Sequence, residues 1–155
     1  MRPDSGYKMT ARDIVDQMSE VLLAGSETTS GTIACLWLEL CRHPTVKNKL
    51  LESLPPLLPN APIIDSKEIR NNPTFEYLNA CIKEVLRLHP IASEMGRRTG
   101  NKGITLMGHY LPPHTVVSAS YRDLHRNPEY WPQPLRFWPE RWLPSEKRGT
   151  APEPE

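Results

Sequence analysis

Apolar residues recur at helical spacing from Ile14 onward, through Met18, Val21 and Leu22, then Ile33, Leu36, Trp37 and Leu40, until His43-Pro44 stops the pattern. Ahead of them, Thr10-Ala-Arg-Asp13 reads as a capping box, in which a hydroxyl and a carboxylate three residues apart satisfy each other's backbone N–H groups. The pattern predicts one helix of about 32 residues, nearly 50 Å long at about 1.5 Å per residue. That exceeds the diameter of any core the chain could build around it. The middle of this helix, Ala24-Gly25-Ser26-Glu27-Thr28-Thr29-Ser30-Gly31, breaks the apolar face with glycines and hydroxyl residues. Each Gly there costs about 1 kcal/mol relative to Ala. So weak a centre is expected to have a reason.

Pro44 suits the first position of a second helix running to Leu54, which Pro55-Pro56 ends, and Leu57 to Ile64 reads as a connector. Asp65 to Glu68 is a second capping-box match opening a short helical turn. From Thr74 the set Tyr77, Leu78, Cys81, Ile82, Val85, Leu86 and Leu88 predicts a third substantial helix, closed by His89-Pro90. The period then changes. Ile104-Thr105-Leu106, a turn at Met107-Gly108, His109-Tyr110-Leu111 and Thr115 to Ala119 read as short strands, and Tyr121 to Asn127 as a helical turn or two. The fold class is mainly α with a small β region. Residues 1–144 are expected to form the domain and the polar stretch 145–155 a disordered tail.

A chain of 155 residues makes one domain the expectation. No apolar run is long enough to span a bilayer, and the start of the chain carries no secretory signal, so it is read as cytosol-facing. The net charge is +1, and Arg97-Arg98 is the one adjacent basic pair between residues 50 and 140, which argues against a nucleic-acid partner. Cys35, Cys41 and Cys81 are odd in number and widely spaced, fitting neither a disulfide framework nor a zinc site; they are read as buried small residues in a reducing compartment. Nine of the 17 prolines lie at or beyond Pro112, consistent with a helical first part and a turn-rich second part.

Two motifs could carry chemistry. Glu27 and Thr28 set a carboxylate beside a hydroxyl just after the small pair Ala24-Gly25, where a ligand could approach the helix backbone; the alternative is a packed helix crossing with Glu27 merely solvated. Thr28 can also bond the carbonyl of Ala24, four residues back. Glu84-Val85-Leu86-Arg87 pairs opposite charges one turn apart. The same E-x-x-R spacing occurs at Glu39-Arg42 and Glu94-Arg97, and spacing alone does not separate a buried pair from a surface one. For Glu84 the surroundings are an apolar helix stopped by proline three residues after the arginine. There, burial would require further partners to offset desolvation.

With these surroundings the chain closely resembles the cytochrome P-450 monooxygenase family. Four matches fall in the family's order: A-G-S-E-T-T at Ala24 to Thr29, E-V-L-R-L-H-P at Glu84 to Pro90, H-R-N-P at His125 to Pro128, and F-W-P-E-R-W at Phe137 to Trp142. The resemblance spans Thr10 to Pro144 and corresponds to the central and later part of a family member; the style of Trp131 to Trp142 looks fungal.

The resemblance implies a haem cofactor, a small organic substrate, an electron-donating reductase and, for parent family members, frequent anchoring on the cytoplasmic side of the endoplasmic reticulum. It places Ala24 and Gly25 where the long helix passes over haem and leaves room for dioxygen. Glu27 and Thr28 match the acid and alcohol that deliver protons. Glu84 and Arg87 match the buried pair of the E-x-x-R helix, and Arg141 the third member of that network. Glu39-Arg42 and Glu94-Arg97 are then expected to be less buried or unpaired. Arg97 falls where the family often sets an arginine on a haem propionate, with Arg98 as the alternative if the register slips by one. Ile91 to Glu94 would belong to the substrate pocket wall. The chain departs from the family by having no cysteine after Leu143, where the axial thiolate loop is expected, and by lacking the helices that precede the long one. None of its three cysteines sits in the glycine-rich context of that loop, so no metal ligand is assigned. The functional expectation is therefore a fragment of a haem-dependent monooxygenase. The alternative is a non-catalytic fragment that acts as an interaction partner or has no function.

Overall fold

The computed structural model of the chain describes residues 8–55, 72–92 and 94–149. The second capping box at Asp65 to Glu68 and the end of the tail lie outside them.

Helix α1, Ala11–Arg42, runs 32 residues without a break. Its capping box forms as the sequence predicts: Asp13 N donates to Thr10 Oγ1 (3.2 Å) and Thr10 N donates to Asp13 Oδ2 (2.8 Å). His43 ends α1 and, with Pro44 in the first turn, begins α2, Pro44–Ser53. A 3₁₀ turn, Pro73–Phe75, capped by Asn72 Oδ1 on Thr74 N, leads into α3, Glu76–Leu88. Proline at the start explains the tighter turn where regular helix is expected.

The core gathers at one end of α1. Leu40 packs with Val46 and Leu50 of α2, with Cys81, Val85 and Leu88 of α3, and with Phe137 from the later segment. Among the described residues, only Glu39 and Leu40 of α1 are buried. Further toward its N-terminus Ile14, Val15, Met18, Val21, Leu22 and Leu23 are exposed, Leu22 by 63%.

Burial corrects one expectation about the cysteines. Cys81 is fully buried and Cys35 half-buried, but Cys41 is exposed. It follows Leu40 by one residue, about 100° around the helix, and so turns from the core to solvent.

Among the described residues, the β region consists of two small antiparallel pairs. Strand β1, Arg97–Arg98, pairs with β4, Val116–Val117, with Arg97 opposite Val117. Between them, β2, Ile104–Leu106, and β3, His109–Leu111, form a hairpin. Its two-residue turn has Met107 at φ 48° and Gly108 at φ 84°. Positive φ at both positions matches the twist of the flanking strands, which is why a glycine is needed there. A short helix α4, Tyr121–His125, capped by Ser120 Oγ on Asp123 N, and a 3₁₀ turn, Pro139–Trp142, complete the described elements. The fold is mainly α with a small β region. Of the polar stretch beyond Pro144, Lys147 N bonds Pro144 O at 2.9 Å and Lys147 Nζ reaches Glu76 at 2.5 Å. No described helix is long and apolar enough to cross a membrane.

Candidate functional site

Two features dominate: a charge hub inside the fold and an open, hydroxyl-rich helix face outside it. The hub is Glu84, whose side chain is wholly buried. Its Oε1 accepts from Arg87 Nη2 (2.8 Å), Arg141 Nε (2.9 Å) and the Trp138 backbone N (3.0 Å). Its Oε2 accepts from Arg87 Nε (3.0 Å) and Trp142 Nε1 (2.8 Å). Two cations and two further donor groups offset the loss of water around this carboxylate.

Arg87 uses every N–H it has. Besides Glu84, Nη1 donates to the carbonyls of His125 and Pro134 (both 2.7 Å) and Nη2 to that of Arg136 (3.2 Å). Arg141 likewise donates to the carbonyls of Pro132 and Gln133, and its burial lowers its pKa. Apart from His125, which closes α4, these backbone acceptors belong to a non-helical stretch rich in proline, whose carbonyls need partners that regular structure does not provide. Arg87 also lies over the Trp131 ring and Arg141 over Trp138. The structure thus brings together Glu84, Arg87 and Arg141.

A second buried carboxylate escaped the sequence reading. Glu39, expected to be less buried or unpaired, is 5% exposed. Its Oε1 meets His89 Nε2 at 2.8 Å, and its Oε2 lies 3.4 Å from His43 Nδ1. Arg42, its E-x-x-R partner, is at 3.8 Å and mostly in solvent. The pairing follows from the ends of α1 and α3 meeting, each closed by a His-Pro dipeptide; those dipeptides were the available signal. Glu94 is exposed, bonding Ser118 Oγ at 3.2 Å, and no ion pair joins it to Arg97 among the described residues.

The open face is the centre of α1. Thr28 Oγ1 donates to the Ala24 carbonyl at 2.7 Å, and Ser26 and Thr32 bond back to Leu22 and Thr28 in the same way. These bonds absorb the hydroxyls without breaking the helix. A Cβ on Gly25 would meet nothing within 4 Å. Glu27 is exposed on the same segment. Thr28, Thr32, Ile33 and Leu36 face Ile82 and Leu86 of α3 across a groove of about 400 Å³. The β region offers another groove of about 430 Å³ lined by Met95, Arg97, Ile104 and Leu106 among others. Arg98 Nε is tied to the His114 carbonyl at 3.2 Å, whereas the Arg97 side chain is exposed and makes no hydrogen bond or ion pair among the described residues.

These residues fit a haem in two respects: open space above Gly25 and an unengaged guanidinium at Arg97. The cysteines lie apart from that helix centre, with Cys41 16 residues beyond Gly25 on α1, about 24 Å along the helix. Cys81 is in the core, where burial pushes its thiol up to about 12, and Cys35 packs against that core. Among the described residues, no three His, Cys, Asp or Glu side chains gather as a metal site.

The cytochrome P450 family profile matches residues 2–154. The chain is 39% identical over 149 residues to the cytochrome P450 monooxygenase BOT1 of Botryotinia fuckeliana, covering 94% of this chain and 29% of that protein. It is 36% identical over 152 residues to cytochrome P450 3A6 of Oryctolagus cuniculus (96% and 29%), and 36% identical over 141 residues to the cyclooctat-9-en-7-ol 5-monooxygenase of Streptomyces melanosporofaciens (91% and 30%). Relatives of similar identity thus come from a fungus, a mammal and a bacterium, which singles out no source. The chain spans about 29% of the length of these curated relatives. With a profile match over nearly all of its residues and the hub and helix motifs in one fold, the chain belongs to the cytochrome P450 family.

Proposed function

We propose that this chain supplies the long helix over the haem, and the charge-tied scaffold behind it, of a monooxygenase that oxidises a small organic substrate with electrons from a reductase. The observation that carries the reading is the centre of α1, where Thr28 leans on the Ala24 carbonyl and the space above Gly25 is open. Bound haem supplies the activation of dioxygen.

The chain's own residues then have separate tasks. Ala24 and Gly25 admit a flat ligand against the helix, because neither carries a side chain beyond Cβ. Thr28 holds a proton at Oγ1, released from the Ala24 carbonyl by a χ1 rotation. Glu27, exposed one residue earlier, exchanges protons with solvent. Arg97 holds a carboxylate of the cofactor. Arg98, already engaged with His114, is the weaker choice for that role. Glu84, Arg87 and Arg141 touch no ligand; they hold α3 against the Trp138 to Trp142 segment. We place the axial ligand outside the three cysteines of this sequence.

A second reading, a non-catalytic piece acting through protein contacts, is favoured by the exposed apolar residues of α1. Titration with haemin separates the two. The first reading expects saturable binding of one haemin per chain, seen as a change in its main absorption band. Binding that does not saturate, or none, would leave the second reading in possession.

A further inference from the structure

We infer that Glu39 and Gly31 are positioning residues: together they fix the height at which the chain leaving α3 crosses α1, and so where Arg97 stands relative to Ala24 and Gly25. The inference rests on the proposed function only in what Arg97 is positioned for; the positioning itself is a property of the chain.

The chain leaving α3 touches α1 at two points. His89, the residue closing α3, gives its Nε2 to Glu39 Oε1 at 2.8 Å. Two residues later Ile91 packs on Gly31, where an added Cβ would lie 3.1 Å from Ile91 Cδ1. Gly31 and Glu39 are eight residues apart, about 12 Å along a helix, whereas two residues of extended chain reach only about 7 Å. The side chains of His89, Ile91 and Glu39 make up the difference, and Glu39 helps by leaning toward the N-terminus of its helix. The two contacts differ in kind. One is a polar link to a buried carboxylate with His43 on its other oxygen, and the other is an apolar notch.

Two points are enough to stop the segment sliding along α1 or pivoting on it. Beyond Ile91 the chain is pinned again, where Glu94 bridges to Ser120 and bonds Ser118, and it then enters β1 at Arg97. A shift at residues 89 to 91 therefore passes into β1. The notch also gives half of the weak helix centre a purpose: Gly25 faces open space, but a Cβ at Gly31 would meet Ile91 Cδ1 at 3.1 Å, and a larger side chain would have to displace Ile91 further.

The test is a distance between spin labels on Glu20→Cys in α1 and Lys102→Cys beside the hairpin, measured without haem. Cys35→Ala and Cys41→Ser remove the accessible thiols, and Cys81 stays in the core. Glu39→Ala is expected to shift and broaden the distance distribution, and Glu39→Gln, which can still accept from His89, to restore it. Gly31→Leu raises helix propensity, so α1 stays formed. It is expected to shift the distance in the same way, and Ile91→Ala added to it to bring the distance back. An unchanged distance in Gly31→Leu, or in Glu39→Ala with helix content retained, overturns the inference. Failure of haemin to bind the unaltered chain would strike the proposed function alone, because the distances are read without it.

Discussion

Glu84 and Arg141, 57 residues apart in sequence, meet at 2.9 Å between Oε1 and Nε. That contact, with Trp138 N and Trp142 Nε1 on the same carboxylate, is where the first and last parts of the chain become one structure. Replacing Glu84 by Gln removes the charge and turns an amide N–H₂ toward donors, leaving two guanidinium groups without a counterion. The expected cost is about 3 to 5 kcal/mol in urea unfolding. A loss below about 1 kcal/mol, the size of a surface pair, would mean that the hub does not hold the fold.

The cysteines give a reactivity order. Cys41, exposed, should react first with a maleimide, Cys35 more slowly, and Cys81 only as the protein unfolds. Labelling of Cys81 at the rate of Cys41 in the folded chain would contradict the core described above.

Stability should fall in alkali. Burial raises the Cys81 thiol from 9.0 to about 12, and burial with the Glu140 carboxylate raises the Tyr77 hydroxyl well above its ordinary value. Both groups are thus protonated in the folded chain at a pH where they ionise in the unfolded one. The unfolded state then binds fewer protons, so stability decreases as pH rises from about 9 toward 12. Urea midpoints across that range test the sign, and a flat profile would count against burial of these groups.

Much of this architecture is legible in the sequence because it is local. The capping box at Thr10 and Asp13, the length of α1, the turn at Met107-Gly108 and the stop at His89-Pro90 each follow from neighbours within a few residues. The E-x-x-R motif with F-W-P-E-R-W pointed to the hub. What it could not reveal is that Arg87 spends three of its five donors on the carbonyls of His125, Pro134 and Arg136, because backbone acceptors leave no trace in residue type. The burial of Glu39 is hidden from the sequence for a related reason. Its E-x-x-R partner is solvated, and its true partners, His43 and His89, are supplied by the meeting of two helix ends.

The exposed face of α1 should make the purified chain bind a hydrophobic dye while keeping its helical far-UV signal. Val21, Leu22 and Leu23 lie side by side in solvent, and Trp37 is exposed further along the helix; contiguous exposed apolar residues are what such dyes bind. A monodisperse monomer with a sharp thermal transition and no dye binding would show that this face is satisfied within the chain.

A reduced, haem-loaded sample exposed to carbon monoxide should lack the absorption shift that marks thiolate ligation, because Cys81 is buried with its thiol pushed up to about 12, Cys35 is held against the core, and Cys41, though exposed, lies 16 residues along α1 from Gly25. Appearance of that band, lost on substituting one of the three cysteines, would assign the ligand to this sequence.

The most direct measurement is haemin affinity in three variants, followed by absorbance. Gly25→Leu fills the open space above α1 yet favours the helix by about 1 kcal/mol, so it should weaken haemin binding while raising thermal stability. Arg97→Gln should weaken binding as well, and Arg98→Gln, whose guanidinium already serves His114, should leave it near the unaltered value. Equal affinity in the unaltered chain, Gly25→Leu and Arg97→Gln would contradict the placement of haem between the centre of α1 and Arg97.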